Sequence, residues 1–403
     1  MQRRAALSNL FWGCGGAVLP WRGHAAGYAA TSLAGHVLVW GPDGCCVASP
    51  DGTVQRLPDR LAAGTRPALT SRGLWLVNAE GTLRGWAPEG DHVWQLQHTV
   101  TFAAPVHALA ASPDGRWVAA AHAEQFSLLD GRGEVHRAFD GTDLGGEHRG
   151  RATALFSLPQ RRSFAVAWPA LGEVWEISLD PQAAQIFDGL VHDYRMGEAI
   201  AKPGFLGARR APLGRPLPHF SFADARVPWL AGILGAEVAV MHLDLRRRIA
   251  ALQVAAAHPA GATLRRAARG HGAFEWWLPA GHDIHVFDTT RWQRAAVHTL
   301  PGPVRHLHAV DDAEDGAVWA LVDQRGDAAL WVLDGAASGM WRPVSGGVVS
   351  ALAPSATPRG LPLLVLRRGP SALLQLDHRG GVRDQWPLPA GIAWQGIAAW
   401  PPN

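Results

Sequence analysis

The densest group of reactive side chains in the chain is the segment 192–198, HDYRMGE. It places one histidine, two acids and one arginine within seven residues. An imidazole beside a carboxylate can move protons, and a guanidinium can bind a carboxylate through two parallel hydrogen bonds. The competing interpretation is structural, because Arg195 can pair with Asp193 or Glu198 and fasten a surface loop. We favour the structural role for Arg195 and keep it among the candidate ligand contacts.

Three histidines lie in short apolar segments that are typical of strands. His107 lies in PVHALA, His258 in AAAHPAG and His308 in VRHLHAV. A neutral imidazole can ligate haem iron or donate a hydrogen bond to an anionic ligand. The competing explanation is chance, because the chain holds 19 histidines. His306 shares a strand face with His308, but two ligands without a third are a weak metal signal, so we predict no metal site.

A basic cluster follows the HDYRMGE segment. Arg209 and Arg210 are adjacent, and Arg215 follows within the same Gly- and Pro-rich stretch. A planar guanidinium suits bidentate pairing with carboxylates. For Arg209 and Arg210, contact with an anionic ligand and ordinary surface pairing stay equally open.

Composition excludes several classes of function. The chain has 403 residues, 48% of them hydrophobic and 18% charged, which is typical of a globular protein. Its net charge of +3 comes without a basic stripe of interleaved aromatics, so we expect no nucleic-acid partner. No apolar run is long enough to span a membrane. We find no dinucleotide fingerprint, P-loop or nucleophile elbow, and the three cysteines form no CxxCH motif.

The N-terminus has the pattern of an export signal. Two arginines at positions 3 and 4 precede an apolar stretch without acids, and small residues follow near position 26. Residues 1–26 are therefore predicted to be a signal peptide, which would place the protein in the periplasm.

Short apolar strands recur along the rest of the chain with a nearly constant period. Successive strand ends lie 43 to 50 residues apart, with one interval of 64. A period in the mid-forties is what a blade of four antiparallel strands requires. Eight strand ends predict an all-β fold, an eight-bladed β-propeller, rather than a pair of β-sandwiches; they are Trp40, Trp86, Asp130, Asp180, Asp244, Asp288, Asp334 and Asp377.

One blade can be assigned completely between residues 105 and 139. PVHALAAS is the innermost strand, RWVAAAH the second, QFSLLD the third and EVHRAF the outer edge. The first repeat lacks an inner strand, whereas the chain ends on a spare one at 391–400. We therefore expect residues 27–403 to form one propeller whose C-terminal strand completes the first blade and removes a free sheet edge. The long interval predicts an ordered inserted loop over 188–222.

Four segments resemble the haem d1 propeller family, which includes the d1 domain of cytochrome-type nitrite reductase and the NirF-type and NirN-type proteins of haem d1 biosynthesis. The similarity is greatest to NirF-like proteins, and it is dense over 165–250 and thinner beyond. It rests on EVWEISLD (173–180), DGLVHDYRMGE (188–198), PGFLGARR (203–210) and LDLRRRIA (243–250).

This resemblance implies an eight-bladed propeller in the periplasm that binds haem d1 or its dihydro-haem d1 precursor over one mouth of the central channel. The segment 255–264 matches a histidine at the pocket in His258, and 300–308 matches one in His308 or, second, His306. Implied partners are nitrite reductase or other haem d1 maturation proteins, and a homodimer is a further hypothesis. Any enzyme activity would be modification of a haem side chain, with His258 placing or protonating the macrocycle. Without a CxxCH motif, a self-sufficient nitrite reductase is not expected.

The chain also departs from the family. The segment 345–352 lacks the family's histidine, and 390–396 lacks its Lys-Tyr-Asn cluster. These losses support an alternative function: a non-enzymatic propeller that has lost the haem pocket and serves as a protein-binding or assembly scaffold.

Overall fold

The computed structural model describes residues 33–90, 93–187, 201–267, 273–310, 316–324, 327–333, 340–344, 347–354, 363–377 and 379–400. The predicted signal peptide at 1–26 and Arg195 lie outside these ranges. Within them the fold is all-β, and only two short 3₁₀ turns interrupt the strands, at Pro159–Arg161 and Pro259–Gly261. No helix in the described part of the chain is long and apolar enough to cross a membrane.

Eight four-stranded antiparallel sheets, numbered here as blades 1 to 8, account for almost all strands. The first half of the chain contributes β1 Val37–Gly41, β2 Gly44–Ala48 and β3 Val54–Leu57 to blade 1; β4 Ala68–Thr70, β5 Gly73–Val77, β6 Leu83–Glu89 and β7 Val93–Val100 to blade 2; β8 Val106–Ala111, β9 Trp117–His122, β10 Gln125–Asp130 and β11 Val135–Asp140 to blade 3; and β12 Ala154–Leu158, β13 Ser163–Trp168, β14 Glu173–Ser178 and, after the two-stranded ribbon β15 Ile186–Phe187 and β16 Ala201–Lys202, β17 Ala208–Pro212 to blade 4.

The second half repeats the pattern without a ribbon. It contributes β18 His219–Ala223, β19 Trp229–Leu234, β20 Glu237–His242 and β21 Arg247–Leu252 to blade 5; β22 Thr263–Arg266, β23 Phe274–Ala280, β24 Asp283–Asp288 and β25 Gln293–Thr299 to blade 6; β26 Val304–Ala309, β27 Val318–Gln324, β28 Asp327–Leu333 and β29 Trp341–Val344 to blade 7; β30 Val349–Pro354, β31 Leu363–Arg367, β32 Ala372–Leu376 and β33 Val382–Pro387 to blade 8; and β34 Gly396–Ala399 to blade 1.

Burial explains why the strands differ in composition. Middle strands are covered by a neighbouring blade on each face, so β13 is buried at every position and its sequence, SFAVAW, does not alternate. Outer strands such as β33 alternate between exposed and partly buried residues. Each seam between neighbouring blades holds one hydrophobic cluster, and eight clusters complete the circuit.

The tryptophans mainly fill these seams. Trp168 and Trp319 are fully buried in them. Trp276, Trp277 and Trp394 are at most 3% exposed. Packing between blades is therefore their role.

The inner strands contact one another from blade to blade, as β4 does with β8 and β26 with β30, and thereby line a central channel. The ring closes as predicted, because β34 pairs with β1 in antiparallel register, Val37 opposite Ala399 and Trp40 opposite Gly396. The eight-bladed propeller predicted from the period is confirmed.

Strand polarity divides the ring into two faces. We call face A the end at which the inner strands begin and face B the end at which they finish. In an antiparallel meander the connections alternate, so the loops between blades and the turns between second and third strands lie on face A. The other two turns of each blade lie on face B.

Trp40 lies on the second strand of blade 1, because blade 1 receives its inner strand from the C-terminus; the other landmarks among the described residues mark third strands. One sequence assignment needs correction. The insertion is narrower than 188–222, since 208–212 forms the outer strand of blade 4 and 219–223 the inner strand of blade 5. The extra residues lie between β14 and β17, and therefore leave the blade on face B.

Candidate functional site

Basic and imidazole side chains gather where the inner strands begin, at the face A mouth of the channel. Arg66 precedes β4, Arg151 precedes β12, and His258 precedes β22 across the 3₁₀ turn; His107 and His306 lie within the first three residues of β8 and β26. No Asp or Glu occurs among the described residues from five positions before each inner strand to its third residue. The inner strands therefore bring donors and neutral bases to the mouth, and Asp323, a carboxylate beside them on β27, is paired with Arg305 at 2.6 Å. This lining suits an anionic ligand.

The backbone holds His258 in place. Its N–H donates to the Pro279 carbonyl at 2.8 Å, and its own carbonyl accepts the Gly261 N–H at 3.0 Å, which closes the 3₁₀ turn. Gly261 is required by close approach: a Cβ there would lie 2.2 Å from the Arg305 carbonyl oxygen and 2.8 Å from His258 Cδ2. The turn thus brings the His258 ring to the start of blade 7, where His306 lies.

His306 and His308 are two residues apart on β26, so their side chains share a face. Both keep some solvent contact through the channel but are otherwise enclosed by protein. Burial lowers the pKa of His306 to about 4, and the charge of Arg66 and the nearby His258 act in the same direction. Burial likewise lowers the pKa of His308 to about 4, with smaller contributions from His306 and Arg226.

The same physical causes act on His258, whose side chain is more exposed. Desolvation lowers its pKa, and the positive charge of Arg66 adds to the effect. Blades 2 and 6 are four apart in a ring of eight, so Arg66 and His258 lie across the channel from each other. The structure thus brings together Arg66, His258 and His306. His308 lies two residues further along β26, deeper in the channel. All three imidazoles are neutral near pH 7, the form that can ligate a metal.

His107 belongs to a second group at the same mouth. Its Nε2 lies 2.9 Å from the Ala152 carbonyl, the geometry of an Nε2–H donor. Burial lowers its pKa, and the charge of Arg151 also lowers it. His122 lies beside it and pairs with the Ser127 hydroxyl at 2.9 Å. With Nε2 held by the backbone, His107 is better placed to shape the mouth than to ligate a metal through that nitrogen.

The predicted arginines lie elsewhere. Arg209 and Arg210 are on β17, the outermost strand of blade 4, and are not on an inner strand. Arg210 donates through Nε to Glu173 at 2.7 Å and through a terminal nitrogen to the Thr142 carbonyl at 2.9 Å, and it stacks over Trp175 at 4.5 Å. The geometry separates both from the channel histidines, and contact with a ligand stays a prediction for them. Arg195 lies outside the described residues.

Arg66 and Arg151 are the functional candidates that the sequence analysis missed, and His306, its second choice on β26, lies close enough to His258 for their charges to interact. The available signal is positional: each precedes or begins an inner strand, so marking basic residues at the start of every repeat would have found them.

A cavity of about 400 Å³ lies on face B instead, between the insertion and blade 4, and contains Arg161, Glu176, Asp180 and Arg209. Arg161 forms double hydrogen bonds with both Glu176 and Asp244, so its donors are already occupied. We base the candidate site on the channel mouth, because the side chains of Arg66, His258 and His306 make no hydrogen bond or ion pair with the described residues.

One group of three side chains in the described part of the chain has metal-ligand spacing, namely Asp130, Glu134 and His136. It lies in an exposed turn on face B. Asp130 Oδ1 already accepts the N–H groups of Arg132 and Glu134 at 2.9 Å, which identifies a turn-stabilising aspartate. We assign no metal role to it.

Comparison with known proteins supplies a structural match only. No protein-family model and no curated protein sequence matches the chain. The dihydro-haem d1 dehydrogenase NirN, solved in complex with DHE, superposes with a TM-score of 0.70 at 20% identity, covering 92% of this chain and 76% of NirN.

Two further matches are weaker. A chain of the mitotic checkpoint complex has a TM-score of 0.48 at 11% identity, covering 92% of this chain and 99% of its own. BamB from Moraxella catarrhalis has a TM-score of 0.46 at 13% identity, covering 82% and 92%. Both scores are too low to support an argument. The NirN superposition agrees with the strand order: the chain has the eight-bladed propeller fold, and NirN shares that fold.

Proposed function

We propose that this protein binds haem d1, or a late precursor such as dihydro-haem d1, at the face A mouth of its channel, as a periplasmic propeller in haem d1 biosynthesis and nitrite reductase maturation. The observation that carries the proposal is the cluster of neutral histidines with Arg66 and Arg151, whose side chains pair with no described residue, where the inner strands of the propeller begin. The NirN fold match supports the class of ligand.

The donor set fits such a ligand. A haem d1-type macrocycle supplies an iron that accepts an imidazole nitrogen and carboxylates that accept guanidinium hydrogen bonds. His306 and His258 are the bases available for the iron or for a macrocycle proton. Arg66 and Arg151 are the cations available for the carboxylates. Because the histidine pKa values are depressed, no proton must be removed before a nitrogen binds.

Two positions depart from a fully basic mouth. Blade 8 begins its inner strand with Val349 and Ser350, and Gln395 precedes the inner strand of blade 1. The basic and imidazole side chains described above lie on blades 2, 3, 4, 6 and 7. The ligand would therefore be held from several sides of the mouth, without an imidazole from the start of blade 8.

The test is a spectroscopic titration of the purified protein with haem d1 and with dihydro-haem d1. Wild type should shift the Soret band with saturating stoichiometry. His306→Ala should change the ligand-field signature of the bound form. Arg66→Gln should weaken binding about 10- to 100-fold, the usual effect of removing one charged hydrogen bond.

His285→Ala is the matched control. This histidine also has its pKa lowered by burial, but it lies on the third strand of blade 6, stacked on Phe287. Its removal should leave the titration unchanged. If wild type gives no Soret shift with either tetrapyrrole, the proposal is wrong. If wild type binds the tetrapyrrole and His306→Ala gives the same spectrum, the role assigned to His306 is wrong, but the proposed class of ligand is still supported.

The alternative function is a scaffold that binds a protein partner without haem. The committed ion pairs of Arg161 and Arg210 beside the insertion favour it, since they make a rigid polar surface on blade 4. The same titration separates the two functions, because a scaffold gives no Soret shift.

A further inference from the structure

Besides the cavity on face B, a second cavity lies on face A, at the seam between blades 8 and 1 where the ring closes. Its volume is about 310 Å³, and its lining comes from blade 8 and from the segment that leads into β34: Arg367, Arg368, Ser371, Ile392, Ala393 and Trp394. The first three residues surround the turn between β31 and β32. The cavity therefore joins the last complete blade to the strand that closes blade 1.

The rim of the cavity is positive and lacks a counter-charge. Arg367 donates through Nε to the Pro370 carbonyl at 3.2 Å, which leaves its terminal nitrogens available. Arg368 is exposed, and its guanidinium makes no hydrogen bond or ion pair with the described residues, although its backbone N–H donates to the Val348 carbonyl at 2.8 Å. The Ser371 hydroxyl donates to the Arg368 carbonyl at 3.2 Å and so fastens the turn. No carboxylate lines the cavity.

The floor of the cavity is apolar. Ile392 is 8% and Trp394 3% exposed, and both belong to the hydrophobic cluster between blades 8 and 1. A ligand with an apolar body can therefore cover this floor while its charged group meets the arginines. Two guanidinium groups on one rim suit a carboxylate, which accepts two parallel hydrogen bonds from an arginine.

We propose that this seam binds an organic carboxylate with an apolar body, held between the two arginines of blade 8 and the segment 392–394. Such a ligand bridges blade 8 and the closing strand, so its binding stabilises ring closure. The carboxylate has two sources: a side chain of a tetrapyrrole seated at the channel mouth, or a free organic acid. The seam site does not rest on the proposed function, because neither the histidines nor iron takes part.

The test uses 1-naphthoate as the probe and thermal unfolding of the full chain as the readout. Naphthoate at about 100 times its Kd should raise Tm by about 3 °C. The neutral analogue 1-naphthalenemethanol should not raise it. Arg368→Ala should abolish the shift, and Arg60→Ala, an exposed arginine elsewhere on face A, should keep it. Because the side chain of Arg368 has no partner among the described residues, its replacement should leave the Tm of the unliganded protein unchanged.

Three results would overturn the proposal: no naphthoate shift in wild type, an equal shift with the alcohol, or an undiminished shift in Arg368→Ala. The Soret titration of Arg368→Ala distinguishes the sources. Weaker tetrapyrrole binding by this variant would show that the carboxylate belongs to a side chain of the tetrapyrrole. Unchanged binding would show that the seam binds a free organic acid. If wild type binds naphthoate but no tetrapyrrole, the seam site stands while the haem proposal fails.

Discussion

Replacing the two enclosed histidines of β26 should make the protein more resistant to acid. Their pKa values are about 4 in the folded chain against 6.5 for an unperturbed histidine. The unfolded chain therefore binds more protons between these values, and wild type loses stability as the pH falls from 7 to 5. In His306→Gln/His308→Gln that part of the loss should be absent.

The magnitude follows from linkage. A pKa lowered from 6.5 to about 4 costs about 2 kcal/mol of folding free energy at pH 5 for each histidine. The pair gives an upper bound of about 4 kcal/mol, and contact with channel water reduces the working value to about 2 kcal/mol. The double variant is needed because each ring lies close enough to change the other's titration.

The assay is urea unfolding at pH 7 and pH 5, followed by tryptophan fluorescence. The free energy of unfolding at pH 7 is the reference value for each protein, because at that pH glutamine replaces an uncharged ring. The quantity of interest is the difference between the two pH values, which should be about 2 to 4 kcal/mol smaller in the variant. Equal differences in the two proteins would refute the claim that these rings are neutral and enclosed.

Other consequences can be measured separately. Burial raises the pKa of Cys45 to about 12 and of Cys46 to about 11, so the folded protein should leave both thiols unreactive with a disulfide reagent at pH 8, whereas urea should make both of them react. Arg210→Ala should destabilise the chain by about 3 kcal/mol in denaturant melts, because Glu173 keeps its buried charge, and Glu173→Gln should restore part of the loss. Deletion of residues 396–403 should prevent unfolding in a single cooperative transition, because β1 loses its partner strand; calorimetry of the full chain and the deletion variant checks this. Tetrapyrrole affinity should stay constant between pH 7.5 and 5.5, because His306 is neutral throughout; a titration series checks it.

The ring could be predicted because its determinants repeat. Every blade ends its third strand after a similar number of residues, and a blade needs that length whatever side chains it carries. The closing strand was visible for the same reason, since 391–400 repeats an inner strand that the first blade lacks. The period alone does not show that Trp40 lies on a second strand, because its place in the sheet depends on a partner strand that follows more than 350 residues later.

The candidate site could be predicted only in part. His258 and His308 were found through local segments, and their pKa shifts depend on enclosure that the sequence does not display. Arg66 was missed because its importance comes from blade 6, on the opposite side of the ring. Arg209 and Arg210 fall within the predicted inserted loop, whereas pairing with β14 fixes them on the outer strand of blade 4. Local sequence indicates which strand a residue joins, and ring closure determines what it meets.

The insertion of blade 4 departs from face B, whereas the bases and cations of the channel mouth occupy face A. The two surfaces can therefore diverge without interfering, since a longer or altered insertion changes no residue at the mouth. A protein that held the ring by the insertion would leave the opposite opening clear. The propeller could then bind a small molecule on face A while a partner protein holds it on face B. In that arrangement the small molecule could be exchanged without release of the partner.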